Sequence, residues 1–320
     1  MGLGVHARRQ SLELTERAES DALHAQPSAS CRHTLKCMGV PPPPPGVTLS
    51  WRPDAAGTDA AFTELSWCDP SVGEVLVADS FRVVGGRARG IEHHLARFLS
   101  GAAALRDRGA EVRSAGSATV DLEAFVADAR AAIAASSHAH PNTALFPRIE
   151  LRERGDARLL MRPSPPLSSS AVLATASHDP RRVPTVKGPD LERLASLRTA
   201  AQALGADEAV ILDARGRVIE GAYSALLWSR GGRLYAVGTD AARIPSVTER
   251  IVGDALRASG DELASAHPTL DELSGAAIWV LSALHGARAV AAWVDGPPVA
   301  RDPDRDAWLR DALAQALAPV

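Results

Sequence analysis

The sequence predicts an α+β protein of two domains, and three observations carry that reading. The chain has 320 residues, about twice the length of a common single domain. In both halves, segments with helical spacing of apolar residues alternate with short strand-like runs bounded by turn residues. Between the halves lies a breaker cluster of Pro163, Pro165, Pro166 and the three serines 168–170, which suits neither a helix interior nor a central strand. The expected organisation is a tail over residues 1–45, a smaller α/β domain over 46–165 and a larger domain over 166–320.

The elements follow in order. Residues 1–45 show no sustained period and end in the run Pro41 to Pro45, a polyproline stretch that supplies no backbone N–H, so the segment is read as disordered. Met38, just before the prolines, is a candidate start of the functional chain. Val75-Leu76-Val77 and Phe81-Arg82-Val83-Val84 read as strand, with a turn at Gly85-Gly86. A helix opens at Gly90-Ile91, and a second is expected at 121–135. Ile149 to Arg152 and Arg158 to Met161 alternate like paired strands about the turn at Gly155-Asp156. In the second half, Leu191, Leu194, Leu197, Ala201 and Leu204 repeat at helical spacing and Gly205 supplies a stop, giving a helix from Asp190 to Leu204. Ala209 to Leu212, Val218-Ile219, Ala225 to Trp228 and Leu234 to Val237 read as an antiparallel meander. Ser246 and Glu249 stand in a capping-box relation that starts another helix. A strand at Ala277 to Ser282 and a helix over about 304–317 complete the chain.

Composition narrows the function. Apolar residues make up 46% and charged residues 23%, close to the globular average, so a core can form. A formal net charge of -3 without a long basic block argues against nucleic acid as the main partner. No stretch approaches the roughly 18 apolar residues of a membrane helix, and the N-terminus lacks the apolar centre of a secretory signal. A cytoplasmic protein with no membrane partner is expected. Cys31, Cys37 and Cys68 offer neither a disulfide framework nor a CxxC pair. The histidines lack ligand spacing, with His93 and His94 adjacent, so no metal is expected. No G-x-G-x-x-G follows a strand, which leaves a dinucleotide site unsupported.

Lysine is rare, and Lys187 lies at the end of an extended segment directly before a helix. By position alone it could be a solvated loop residue. Downstream stand Gly205-Ala206-Asp207-Glu208-Ala209, then Gly216-Arg217-Val218-Ile219-Glu220-Gly221, then Ile244-Pro245-Ser246-Val247-Thr248-Glu249-Arg250. Upstream stand Asp79-Ser80-Phe81-Arg82 and His94-Leu95-Ala96-Arg97-Phe98. This ordered series resembles the class IV aminotransferase family, the fold-type IV pyridoxal phosphate enzymes. The family includes branched-chain and D-amino-acid aminotransferases and 4-amino-4-deoxychorismate lyase. The resemblance runs from about residue 70 to residue 295.

The resemblance implies a fold-type IV architecture with pyridoxal 5'-phosphate in an interdomain cleft, a homodimer, and a small amino-acid-like substrate. It implies Lys187 as the catalytic residue, binding the cofactor as a Schiff base and moving the α-proton. It implies Glu220 beside the ring nitrogen, where a carboxylate stabilises a protonated ring. Arg97 would hold the cofactor's phosphate, because a guanidinium grips two oxygens at once. Val247 and Thr248 would add donors at a helix start. Ser282-Ala283-Leu284 resembles the N-A-L stretch of the lyase subgroup, with Asn changed to Ser, which puts Ser282 and Ala283 at the cofactor and favours lyase-type elimination over amino transfer. Ala78 stands where D-amino-acid aminotransferases carry a tyrosine, so the substrate carboxylate needs another partner. Arg152 and Arg158 are the candidates, and His285 is placed to hydrogen-bond substrate or phosphate.

Overall fold

The computed structural model describes residues 34–36, 42–53, 60–65, 73–107 and 120–320. Along the first part of the chain come β1 (Thr34–Lys36), β2 (Val47–Pro53), β3 (Ala60–Glu64), β4 (Val75–Ser80), and the short hairpin of β5 (Val83–Val84) and β6 (Arg87–Arg89). Helices α1 (Ile91–Asp107) and α2 (Leu122–Ala139) follow, then β7 (Arg148–Arg152) and β8 (Ala157–Met161). Six of these strands form a sheet in the order β1-β3-β2-β8-β7-β4, with every pairing antiparallel. Leu49 and Trp51 on β2 and Leu159 and Met161 on β8 are buried at alternate positions, as the period of two requires for a sheet covered on that face. The cover is α1 and α2. Phe125 of α2 meets Trp51 at 5.9 Å and Phe98 of α1 at 6.0 Å between ring centroids. Asp121 caps α2 by accepting from the Ala124 N–H at 3.0 Å.

Of the segment 1–45 read as a tail, Thr34–Lys36 pair with β3. Pro43 is buried, and its carbonyl accepts from Ser136 Oγ of α2 at 2.7 Å. Residues 1–33 and 37–41, Met38 among them, lie outside the described residues, as do all three cysteines.

The second sheet contains β9 (Ser170–Thr175), β10 (Glu208–Leu212), β11 (Val218–Gly221), β12 (Ala225–Arg230), β13 (Arg233–Val237), β14 (Ala264–Ala266), β15 (Ala277–Ser282) and β16 (Gly286–Val294). Their order is β11-β10-β9-β16-β15-β12-β13-β14. The expected meander is therefore two hairpins rather than one run, because β11 and β12 are not neighbours. Ala222 leaves β11 by donating its N–H to Ala209 at 2.8 Å, and β12 begins on the other side of β9, β16 and β15. The sheet also curls. Val218 N–H of β11 donates to the Pro268 carbonyl at 2.8 Å, and Arg217 forms a bridge with Thr269, both just beyond β14 at the opposite edge.

Helix α3 (Leu191–Ala203) lays Leu194, Leu197 and Ala201 on Ala209 and Ile211. Helices α4 (Val247–Ala258) and α5 (Pro303–Gln315) cover Trp279 and Leu281. The last helix stops at Gln315 because β17 (Leu317–Pro319) turns back to pair with β6. Among the described residues no helix is long and apolar enough to cross a membrane.

Two glycines allow backbone approaches that position the site. Gly90, at φ +57, would place a Cβ 2.9 Å from Val247 Cγ1 and 3.0 Å from Ile251 Cδ1. Its bare backbone lets the start of α1 lie against the start of α4. Gly188, at φ +147, would place a Cβ 2.7 Å from the Val77 Cα and 2.8 Å from the Leu76 carbonyl. This contact presses the segment carrying Lys187 onto β4.

Candidate active site

Lys187 is held first by its backbone. Its carbonyl accepts from the Ala78 N–H of β4 at 2.7 Å, the approach that Gly188 permits. The amine has no hydrogen-bond or ion-pair partner among the described residues. Burial pushes the Lys187 amine down to about 8, and Arg97 acts in the same direction against the opposing charges of Asp79 and Glu220. The residue stands in the wall shared by two cavities. One is lined by Arg97, Glu220, Val247 and Thr248, the other by Arg148, Arg162, Arg198 and His285. Ser282 and Ala283 line both.

Glu220 lies on β11, opposite Ile211 of β10, and only 5% of it is exposed. Burial pushes its carboxyl up to about 7, although Arg181 works against that. Arg181 Nη1 donates to Glu220 Oε1 and also to the Ala242 carbonyl, while its Nη2 pairs with Asp179. The Ile244 N–H approaches the other Glu220 oxygen at 3.4 Å.

Arg97 projects from α1 toward the start of α4. Its Nε and Nη2 donate to the two oxygens of Asp79, each at 2.8 Å, and its Nη1 donates to the Pro245 carbonyl at 2.8 Å. His94 Nδ1 lies 2.8 Å from the same carboxylate. Asp79 is fully buried. Burial alone would raise its pKa, but Arg97 and His94 outweigh that and hold the carboxyl well below the usual range. The guanidinium is thereby fixed in place before any ligand arrives.

At the start of α4, Ser246 caps the helix by accepting from the Glu249 N–H at 3.2 Å. The expected capping box is only half made. Glu249 instead grips Arg243 with both oxygens, at 2.7 and 2.9 Å, since a bidentate ion pair outcompetes a single neutral N–H. Val247 and Thr248 are buried at the first turn, where free N–H groups and the helix dipole favour an anion.

The substrate-side expectations divide. His285 lines the second cavity. Arg152 and Arg158 line neither cavity. Arg152 donates to Glu150 at 2.9 Å and to the Gly73 carbonyl at 2.8 Å, and Arg158 pairs with Asp156 at 3.0 Å. Strand β7 does supply an arginine to the cavity, but it is Arg148. Arg148 shares the face of Arg152 by the period of two, and β7 presents its first residue rather than its last. Sequence reasoning also missed Arg162, Arg198, Arg288 and Arg181. The spacing Asp179-x-Arg181 ahead of Lys187 was a visible signal for the last of these.

The amino-transferase class IV profile matches residues 76–293. The chain belongs to this family. No curated protein sequence gives a significant match. Among solved structures, the chain is similar to a fold IV transaminase from Curtobacterium pusillum, at 21% identity and a TM-score of 0.68, covering 84% of this chain and 97% of that one. It is similar to the branched-chain amino acid aminotransferase of T.th., at 18% identity and a TM-score of 0.64, covering 85% and 93%. A candidate 4-amino-4-deoxychorismate lyase from Legionella pneumophila aligns at 15% identity and a TM-score of 0.60, covering 76% and 91%. These likenesses establish the fold-type IV fold.

Class IV enzymes use pyridoxal 5'-phosphate. That group asks for an amine of lowered pKa, a buried carboxylate and a phosphate cradle. The first cavity contains Lys187 without a partner, Glu220 half-neutralised by burial, and Arg97 facing the first turn of α4. The residues present fit the group.

Proposed function

We propose that the chain acts on the amino-bearing carbon of an amino-acid-like substrate, with Lys187 as both the anchor of pyridoxal 5'-phosphate and the base. The observation that supports this is the lone Lys187 amine in the wall between the two cavities. An amine with a pKa of about 8 is roughly one-tenth unprotonated at pH 7, so Lys187 can accept a proton from carbon and return it. Glu220 would hold the cofactor's ring nitrogen, Arg97, Val247 and Thr248 its phosphate, and Ser282 and Ala283 would close over it. When bound, the cofactor supplies an electron sink for the carbon that loses its proton. Arg181 keeps Glu220 from rotating out of the site, and Asp79 does the same for Arg97.

Lyase-type elimination, as in 4-amino-4-deoxychorismate lyase, is the reading we favour, on the resemblance of Ser282-Ala283-Leu284 to the lyase stretch. Amino transfer is the second reading, and the greater similarity to the Curtobacterium transaminase favours it. A homodimer in the cytoplasm is the expected state on family grounds. The chain has two lysines, Lys36 and Lys187, which makes the test direct. Borohydride reduction of the cofactor-loaded protein followed by peptide mapping should label Lys187, and Lys187→Ala should abolish both label and turnover. Label on Lys36 alone would defeat the assignment. Supplied with 4-amino-4-deoxychorismate, a lyase releases pyruvate over many turnovers. A transaminase given one amino acid and no acceptor stops after one equivalent of 2-oxo acid.

A further inference from the structure

Asp190 stands at the start of α3 in the position of a helix-capping carboxylate, yet it does not cap. At α2 and α4 the residue in that position, Asp121 or Ser246, has extended backbone and accepts an N–H from its own helix. Asp190 has φ -98 and ψ 10 and makes no such bond. Its side chain points backward instead. Oδ2 accepts from the Arg182 N–H at 2.9 Å and from the Val183 N–H at 2.8 Å. Among the described residues these two N–H groups have no other acceptor. A local rule broken at a helix start points to a gain elsewhere.

The gain is visible in what the pinned segment carries. Residues 181–190 run without helix or strand, along the wall of the first cavity. At one end Arg181 donates to Glu220 and to the Ala242 carbonyl. Toward the other, the Lys187 carbonyl accepts from the Ala78 N–H, and Val186 is buried in the core of the first sheet. The segment's own backbone bonds, Val186 to Val183 and Leu191 to Gly188, each at 3.1 Å, close two separate turns. The Asp190 carboxylate ties the first turn to the second.

The other carboxylate oxygen shows which property of Asp190 matters. The residue is 3% exposed, and its Oδ1 is buried without a hydrogen-bond partner. Arg193 Nη1 stands 3.6 Å away, beyond hydrogen-bond length. A buried carboxylate kept for its charge is normally met by close donors on both oxygens. Here one oxygen does all the holding.

We propose that Asp190 is a positioning residue: through its two backbone bonds it holds Arg181 against Glu220, and Lys187 in the cavity wall, as one fixed unit. It acts as an acceptor, and its charge is dispensable. The proposal rests on the reading of Lys187 as the anchor and Glu220 as the ring-nitrogen partner.

The test uses the full chain loaded with pyridoxal phosphate and reads two quantities, the cofactor's dissociation constant and the pH midpoint of the lysine-linked chromophore. Asp190→Ser puts a hydroxyl one bond nearer the backbone, too short to reach residues 182 and 183. It should weaken cofactor binding about tenfold and move the midpoint by about half a pH unit or more, in the direction that Glu220→Gln moves it. Asp190→Asn keeps an acceptor for both N–H groups and sets its amide where Oδ1 has no donor to lose. Its affinity should stay within about twofold of wild type, with the midpoint unmoved. In a Glu220→Gln background, Asp190→Ser should shift the midpoint no further, because the latch acts through Glu220. A loss of packing alone would lower the melting temperature without this coupling. A wild-type midpoint in Asp190→Ser, additive shifts in the double variant, or an Asp190→Asn protein as impaired as Asp190→Ser would each overturn the proposal. If the serine variant does not fold, the asparagine variant decides: an impaired affinity or a moved midpoint there overturns it. Borohydride label missing from Lys187, or a Glu220→Gln midpoint equal to wild type, would defeat the underlying reading and this proposal with it. With both of those in place, the other outcomes defeat the latch alone.

Discussion

At the scale of single residues, the site contains buried carboxylates, Asp79 and Glu220, where water solvates charge poorly. Glu220 shows the consequence. With its carboxyl near 7, it is largely protonated below that pH and, in the role proposed for it, would not then balance a positive ring nitrogen. Affinity for pyridoxal phosphate should therefore fall as pH is lowered from about 8 to 6. Lys187 adds a slope of its own, so the readout is the difference between wild type and Glu220→Gln. Absorbance titrations at stepped pH should show the wild-type advantage vanish at the acid end. A constant ratio between the two proteins across that range would remove Glu220 from the role. The candidate residues on the cofactor side were legible because their motifs are local in sequence. Those on the substrate side were not. Arg148, Arg162, Arg198 and Arg288 share a cavity only after four elements have folded, and Arg152 lies on the strand that carries Arg148 but lines neither cavity.

At the scale of elements, the legible parts were those with strong periodicity and clear ends. The helix at Leu191–Ala203 and the hairpin of β12 and β13 fall where spacing and glycine turns put them. Strands β9 and β16 were missed. Their cores, Ala171 to Ala174 and Ala289 to Val294, are rich in alanine, which carries little strand preference of its own; β9 is placed by parallel pairing with β10 and β16 across long separations, while β16 also forms a local antiparallel hairpin with β15. One place sensitive to change is the crossing of the Lys187 segment over β4, where the close approach is to backbone atoms. Gly188→Ala would force a Cβ against the Val77 Cα and the Leu76 carbonyl, in a backbone region that alanine avoids. We expect a loss of about 2 kcal/mol or more in urea unfolding and a weakened link between Lys187 and its cofactor. A variant as stable as wild type would show that the two backbones can separate without cost.

At the scale of the whole molecule, the alternation of helix and strand patterns was readable, but strand order was not. A sequence cannot show that β11 and β12, adjacent in the chain, stand at an edge and in the interior of one sheet. That order has a further result. Because the curl brings the Val218 N–H to the Pro268 carbonyl and Arg217 to Thr269, the outer rim is met at the start of β11 by the molecule's own backbone. An open rim of this kind is a template on which a second polypeptide can add a strand and begin aggregation. Here the start of that template is already taken. Hydrogen exchange should reveal it: the Val218 amide should exchange as slowly as amides in the middle of the sheet, and Pro268 should mark the spot where local opening first makes the protein prone to self-association.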